Sequence, residues 1–274
     1  MVRVGIVGCG AIGSALARAI DRDYANVARV VALADQDPTR ARTLTQSLRS
    51  RPAIVSLPQL IRRSDLVIEA AAVSIAARVA LLALSANRDV LIMSTGGLLT
   101  APASWRRAAQ RSRGRLHIPS GALCGLDGIK AMAMGTIRRI RLTTRKPPHA
   151  FAEAPFVRAK HLRLAQLRAP KLLFEGSPAD VVNGFPQNTN VAATMLLAST
   201  IPGSRRRPKM TVRVVADPGL RTNVHELEVE GDCGRLSVRV ESRPSQANPK
   251  TSELAICSAL AMIRQLLTPI RVGT

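Results

Sequence analysis

The chain has 274 residues, which is enough for one large α/β unit or for two modest domains that share an interface. Hydrophobic residues make up 46% of the sequence, which excludes an intrinsically disordered protein, and no apolar run is long enough to cross a bilayer. The 40 Lys and Arg residues exceed the 18 Asp and Glu residues and give a formal net charge of +22.

The first half of the chain alternates short apolar strands with helices. Its pattern predicts strands at residues 2–7, 27–34, 66–68, 90–93 and 116–118, and helices at 11–20, 38–48, 75–86 and 102–113. Repeated βα units of this length predict a Rossmann fold, which is a doubly wound parallel sheet with right-handed crossovers.

The pattern changes near Pro119, where the strands lengthen and begin to alternate. Strands are predicted at 137–144, 211–216, 223–230 and 235–242, and short helices at 178–182 and 191–198, with a Pro- and Arg-rich stretch at 147–170. Such strands are typical of a mainly antiparallel, half-exposed sheet in a second α/β (α+β) domain. We therefore expect a dinucleotide-binding domain at 1–118, a substrate and dimerisation domain at 119–250, and a last helix at 251–267 that packs back on the first domain.

The basic residues are scattered along the whole chain and form no basic tail. One Trp, one Tyr and four Phe are few for stacking on nucleic-acid bases. We expect no nucleic-acid partner and explain the charge by a solvated basic surface or by the ion-pair networks of a heat-adapted protein.

The four cysteines, Cys9, Cys124, Cys233 and Cys257, are far apart and form no C-x-x-C pair. We expect reduced thiols, no disulfide framework and no metal site. Because the sequence begins directly on an apolar strand without a charged leader, it predicts no signal peptide and a cytoplasmic protein without a membrane partner.

A glycine-rich turn follows the first predicted strand directly and opens the first helix. Its glycines permit a tight turn and the close approach of a pyrophosphate, and the helix N-terminus supplies free amide donors. This context predicts a dinucleotide site with contacts at Gly8, Gly10, Ala11, Ile12 and Gly13.

Asp35 ends the second predicted strand, where a carboxylate accepts hydrogen bonds from both ribose hydroxyls. Its charge favours NAD because it would repel the additional phosphate of NADP. Arg40 is close enough in sequence to attract that phosphate, so NADP stays a possible cofactor.

Two later loops lie at the carboxyl edge of the predicted sheet. Ser94 begins the first, and its sequence fits a ligand contact and a plain strand-to-helix loop equally well. Ala122 lies in the second, where small residues let the backbone approach a nicotinamide ring, and we predict that it contacts the cofactor.

His225 stands out among the four histidines of the chain. The period of two in a strand places it with Asn223, Leu227 and Val229 on one face, and the glutamates on the other. His225 thus projects from the buried face, either as a catalytic base or as a satisfied core histidine.

Taken together, several motifs resemble the L-aspartate dehydrogenase family over essentially the whole chain. They are the glycine turn at residues 8–13, IPSGA at 118–122, GLD at 125–127, TRKPP at 144–148, FPQNTNVAA at 185–193, ADP at 216–218, NVHE at 223–226 and NPKTS at 248–252. The resemblance implies NAD(P)-dependent oxidation of L-aspartate to iminoaspartate, which hydrolyses to oxaloacetate and ammonia or feeds NAD biosynthesis, by a homodimer. The heavy arginine content and a basic loop at 205–209 depart from the family without touching a motif.

By position, the resemblance assigns the active-site histidine to His225 and dinucleotide contacts to Ala122 and Asn188. A base with a pKa near neutrality suits the chemistry, and unperturbed imidazole has one. We place substrate contacts at Ser120, Asn190, Asn223 and Lys250. For the two substrate carboxylates Lys250, Arg145 and Lys146 are available as cations, and the sequence does not rank them.

Two alternatives stay open at this point. The first keeps the fold and changes the substrate, as in oxidoreductases of the dihydrodipicolinate reductase or homoserine dehydrogenase type, although their second-domain signatures are not found here. The second is a non-enzymatic, nucleic-acid-associated protein that senses NAD and uses its positive charge as the working surface.

Overall fold

The computed structural model describes residues 1–186, 189–201, 208–245, 248 and 251–273, with Asn183 described by its backbone alone. The chain divides into two compact units. The first unit comprises Met1–Pro119 together with Ile256–Val272, and the second comprises Ser120–Ala255 together with Gly273.

The first unit is built on a six-stranded sheet in the order β3-β2-β1-β4-β5-β6, in which every pairing is parallel. The strand order reverses between β1 and β4, and the carboxyl ends of these two strands form the crevice in which this fold binds ligands. The strands are β1 (Val2–Val7), β2 (Ala28–Ala34), β3 (Ala53–Ile54), β4 (Leu66–Glu69), β5 (Asp89–Ile92) and β6 (Leu116–His117).

Helices cover this sheet, as a parallel sheet requires. They are α1 (Ala11–Asp23), α2 (Pro38–Ser47), α3 (Leu57–Arg63), α4 (Val73–Ser85), α5 (Gly96–Thr100) and α6 (Ser104–Arg111). The C-terminal helix α11 (Glu253–Leu267) adds Ala259 and Ile263, both fully buried, to the core around Ile6, Leu16 and Leu33. Burial of these apolar side chains holds the first unit together.

The second unit is built on a five-stranded sheet in the order β11-β10-β7-β9-β8. The pairing of β7 with β9 is parallel and the other pairings are antiparallel. The strands are β7 (Ile137–Lys146), β8 (Lys171–Gly176), β9 (Lys209–Ala216), β10 (Asn223–Gly231) and β11 (Gly234–Ser242), and the helices are α7 (Leu126–Ala133), α8 (Pro155–Ala159), α9 (Pro178–Gly184) and α10 (Thr189–Ala198).

The two faces of the second sheet differ in chemistry because side chains alternate along each strand. One face contributes Leu142, Leu227 and Val214 to an apolar core that also contains Phe151 and Phe185. The other face carries cross-strand pairs of arginine and glutamate, namely Arg139 with Glu230, Arg141 with Glu228 and Arg145 with Glu226. The apolar face is therefore the packed one and the ionic face is the polar one.

The predicted fold class, a Rossmann sheet followed by a second α/β domain with mainly antiparallel strands, is confirmed. Six of the elements named above were not predicted from the sequence: β3, β8, α3, α5, α7 and α8. The predicted helix at 102–113 is shorter, because α6 spans only Ser104–Arg111. No helix in the described part of the chain is long and apolar enough to cross a membrane.

Candidate active site

The glycine-rich turn between β1 and α1 has the geometry of a dinucleotide loop. Gly8 has φ +94°, and a Cβ on it would lie 2.6 Å from the carbonyl oxygen of Ala70, beyond β4. A Cβ on Gly13 would overlap the carbonyl oxygen of Gly8. These two glycines therefore allow α1 to approach β1 and β4 closely, which is a packing role.

Gly10 differs from its two neighbours, because a Cβ built on it meets no atom within 4 Å. It is the N-cap of α1, it has an ordinary φ of −75°, and no side chain caps the helix there. The amides of the first helical turn, at Ala11, Ile12 and Gly13, have no acceptor within the helix. Open space in front of free amide donors at the positive end of a helix fits a pyrophosphate.

Asp35 closes this turn from the end of β2. Its Oδ2 accepts a hydrogen bond of 2.5 Å from the amide of Cys9, and its Oδ1 accepts one of 2.8 Å from the amide of Asp37. Each carboxylate oxygen has a second lone pair, so a half-buried Asp35 can still accept from ribose hydroxyls. Arg40 forms an exposed ion pair with Asp37 at 3.2 Å, and this weak pairing leaves it able to move toward a 2′-phosphate.

Glu69 is a buried carboxylate that the sequence analysis did not assign. It ends β4 and is 0% exposed. Its Oε1 accepts from the amide of Ala71 at 2.8 Å and the hydroxyl of Ser94 at 2.9 Å, and its Oε2 accepts from the amide of Ser94 at 3.0 Å. Burial raises the pKa of this carboxyl and outweighs the lowering by those hydrogen bonds. Glu69 thus ties together the two loops that leave β4 and β5 at the crevice, and it gives Ser94 a structural partner.

His225 lies on β10, on the apolar face of the second sheet, and is buried as the strand period predicts. Its Nδ1 is 3.0 Å from Oγ1 of Thr144, the residue directly opposite it on β7. Burial, with a smaller contribution from the charge of Lys146, lowers the pKa of His225 to about 3. The expectation of a near-neutral pKa does not hold for this chain, because desolvation keeps the imidazole uncharged.

Lys146 is half-buried at the end of β7, two residues after Thr144 and therefore on the same face as His225. Burial lowers its pKa to about 8, and no charged partner counteracts that effect. Its side chain lines an open pocket together with Phe151, Glu153 and Phe185. The second unit thus brings an uncharged imidazole and a desolvated ammonium to one end of one sheet face.

The other predicted site residues occupy several places. Ala122 is buried and Ser120 half-buried in the loop before α7, Asn190 is in the first turn of α10, and Asn223 begins β10 on the face of His225. The N-terminus of α7 lies against β11, because a Cβ on Gly125 would be 2.9 Å from Val238. Asn188 and Lys250 lie outside the described residues.

The four cysteines are free thiols, and no group of three or more His, Cys, Asp or Glu side chains in the described ranges could hold a metal ion. The Rossmann strand order, the glycine turn with its open Gly10 and the carboxylate ending β2 place the chain in the class of NAD(P)-dependent dehydrogenases.

Comparison with known proteins narrows this class to one family. Residues 127–266 match the model of the aspartate dehydrogenase C-terminal domain, and residues 8–119 match the NAD-binding domain of homoserine dehydrogenase. The chain is 42% identical to the L-aspartate dehydrogenase of Methanosarcina barkeri and 40% identical to that of Methanocella arvoryzae, with both chains covered completely in each case. The chain belongs to the aspartate dehydrogenase family.

A solved structure agrees with the fold. The aspartate dehydrogenase of Thermotoga maritima superposes with a TM-score of 0.73 at 23% identity, and the match covers all of both chains. The match of the first half to a homoserine dehydrogenase model reflects a shared cofactor-binding domain, and the second half separates the two families.

Proposed function

We propose that this protein oxidises L-aspartate to iminoaspartate with NAD as the preferred cofactor and NADP as a possible one. Membership of the aspartate dehydrogenase family supports the substrate. The observation that carries the chemistry is the buried, uncharged imidazole of His225, held by Thr144 on the sheet face that also bears Lys146.

In this proposal His225 is the base that accepts a proton from the substrate ammonium. Burial and the charge of Lys146 lower the pKa of its imidazole to about 3 in the free protein, and the carboxylates of a bound substrate would raise it again by neutralising that charge and stabilising the imidazolium. The tautomer that donates Nδ1–H to Oγ1 of Thr144 leaves the Nε2 lone pair for that proton. Thr144 therefore holds the ring orientation, and its hydroxyl, which can accept or donate, is compatible with this tautomer. When bound, the nicotinamide cofactor accepts the hydride from the α-carbon.

The cofactor contacts proposed are Gly8, Gly10, Ala11, Ile12, Gly13 and Asp35 in the first unit, and Ala122 and Asn188 in the second. The open space at Gly10 and the free amides behind it support a pyrophosphate at that point. The carboxylate of Asp35 supports recognition of an unphosphorylated ribose, which favours NAD.

The remaining proposals concern organisation. Residues 1–118 with the helix at 251–267 would bind the dinucleotide, and residues 119–250 would bind L-aspartate and form a homodimer in the cytoplasm. Ser120, Asn190, Asn223 and Lys250 are the proposed substrate contacts. The product imine would hydrolyse to oxaloacetate and ammonia or enter NAD biosynthesis. Sedimentation equilibrium of the purified protein tests the dimer.

The decisive experiment measures NADH and NADPH formation with a panel of L-amino acids at alkaline pH. We expect turnover with L-aspartate, faster with NAD than with NADP. The His225→Ala variant should lose that turnover and keep its affinity for NADH. The matched control is His149→Ala, because His149 is an exposed histidine of the same unit, and it should behave as the wild type does.

If no amino acid were oxidised although NAD bound tightly, the dehydrogenase proposal would be wrong and the NAD-sensing alternative would take its place. Binding to DNA or RNA that collapses steeply with salt would then identify a phosphate-driven surface. Against that alternative, all six aromatic side chains fall within the described ranges and none of them is exposed, so they offer no open stacking platform.

A further inference from the structure

We propose that the ammonium of Lys146 binds one of the two carboxylates of the substrate beside the imidazole of His225. The proposal rests on the proposed function, and it deepens that function by adding Lys146, and not Arg145, to the proposed substrate contacts.

The pairing of β7 with β10 places Lys146 on the correct side of the sheet. His225 is directly opposite Thr144, and Lys146 follows Thr144 by two residues. Because side chains two residues apart in a strand share a face, Thr144, Lys146 and His225 project to the same side. The ammonium is also close enough to His225 to lower the pKa of the imidazole.

Arg145 is excluded by the same pairing. It projects to the ionic face, where its Nε donates to Glu226 at 3.0 Å and its Nη1 lies 3.6 Å from Asp217. A guanidinium already paired with two carboxylates, on the side of the sheet away from His225, directs its donors away from a substrate at the imidazole.

Lys146 differs from Arg145 in its electrostatic surroundings. Burial is the only influence on its pKa, which falls to about 8, so no carboxylate of the described chain compensates its charge. Its nearest favourable contact is the ring of Phe151, whose centroid is 6.0 Å from Nζ. A desolvated cation without an anionic partner is costly to the folded protein, and an arriving carboxylate would remove that cost.

An open pocket lies beside Lys146. It is bordered by Phe151, Phe185 and Pro186, and Glu153 is the one acidic group among its lining residues. Glu153 is paired with Arg158, which offsets the repulsion that its charge would exert on an anionic ligand. The lining therefore presents one uncompensated positive charge, which suits a small carboxylate.

The test is calorimetric titration of succinate, an unreactive dicarboxylate, into the NAD-saturated protein. We expect Lys146→Met to weaken succinate binding by about tenfold or more, because one charge-assisted contact is lost. Lys146→Arg, which keeps the charge, should recover part of the affinity and also guards against a folding defect in the Met variant. In turnover assays the KM for L-aspartate should rise with a smaller change in kcat.

Two controls separate this contact from a general charge effect. Lys209→Met removes the same charge from the far end of the same sheet, about 23 Å along β7 from Lys146, and should bind succinate like the wild type. Arg145→Met removes a charge one residue away on the other face and should weaken succinate binding far less than Lys146→Met does.

The outcomes distinguish this inference from the proposed function. Unchanged succinate affinity in a folded Lys146→Met protein overturns the role of Lys146 even if L-aspartate is oxidised normally. Succinate binding that depends on Lys146, in a protein that oxidises no amino acid, supports the site and overturns the proposed reaction.

Discussion

Substitution of Gly10 by alanine separates the binding role of the glycine turn from its structural role. The backbone of Gly10 has φ −75°, which any residue adopts, and its Cβ position is open for 4 Å in all directions. The substitution should therefore change stability by no more than about 1 kcal/mol, since the lower entropy of the unfolded chain offsets the poorer N-cap.

The same methyl group should obstruct the cofactor. It would occupy the space in front of the free amides of α1, where a pyrophosphate oxygen would accept hydrogen bonds. A pyrophosphate displaced by that methyl would lose at least one charge-assisted hydrogen bond of about 1.5–3 kcal/mol. The expected loss of NADH affinity is about tenfold to a hundredfold or more.

The assay is a fluorescence titration of NADH with wild type and Gly10→Ala, accompanied by thermal unfolding followed through Trp105, which lies in the first unit. Gly13→Ala is the matched control, because its methyl would overlap the carbonyl oxygen of Gly8 and should unfold the turn. A Gly10→Ala protein that bound NADH within twofold of the wild type would refute the pyrophosphate site at Gly10.

Three further predictions concern buried titratable groups. The pKa of His225 is lowered to about 3, so the unfolded chain takes up protons first and His225 lowers stability from pH 6.5 toward pH 3, by up to about 1.4 kcal/mol per pH unit. Hydrogen exchange of β10 should show a pH slope of stability that is shallower by that amount in His225→Leu than in the wild type, and equal slopes would contradict this. Glu69→Gln should cost about 1–3 kcal/mol in urea unfolding, because its amide group would face an amide donor, that of Ser94 or of Ala71, and an unchanged midpoint would contradict this. The pKa of the buried Cys9 thiol is raised to about 12, mainly by burial, so iodoacetamide at pH 8 should spare Cys9 while it labels exposed thiols, and equal labelling rates would disprove the assignment.

Local sequence signals were sufficient for most of the first unit and insufficient for short elements. The strands that are buried on both faces appear in the sequence as apolar runs, and the glycines themselves mark the turn after β1. Strand β3 has only two residues, and the buried and exposed residues of β8 do not alternate regularly, so neither strand has a period of two to detect. Their conformation is set by pairing with β2 and β9, which is tertiary information. Helix α3 does carry a local signal, because a capping box of Ser56 and Gln59 with a proline at its start is typical of a helix N-terminus.

For the candidate site the sequence predicted the position of His225 but not the side chains that surround it. The period of two in β10 sufficed to bury His225 and to direct the glutamates away from it. It could not reveal the hydroxyl of Thr144 opposite the imidazole, because those residues are 81 positions apart and their pairing depends on the register of β7 against β10. The lowered pKa follows from the same missing information, since burial by the surrounding core causes most of it.

Register therefore decides which cation belongs to the site. A slip of β7 by one residue would turn Arg145 toward His225 and Lys146 toward the ionic face. The register shift between Glu230 and Gly231 restores the pairing of β10 with the start of β7, and a Cβ on Gly231 would lie only 2.5 Å from the carbonyl oxygen of Thr136. Gly231 is about 20 Å along the strand from His225, so this irregularity lies at the far end of the strand pairing from the candidate site. The register of β7 against β10 thus determines both the ion pairs on one face and the candidate site on the other. A change of register that moved one of them to the opposite face would move the other as well.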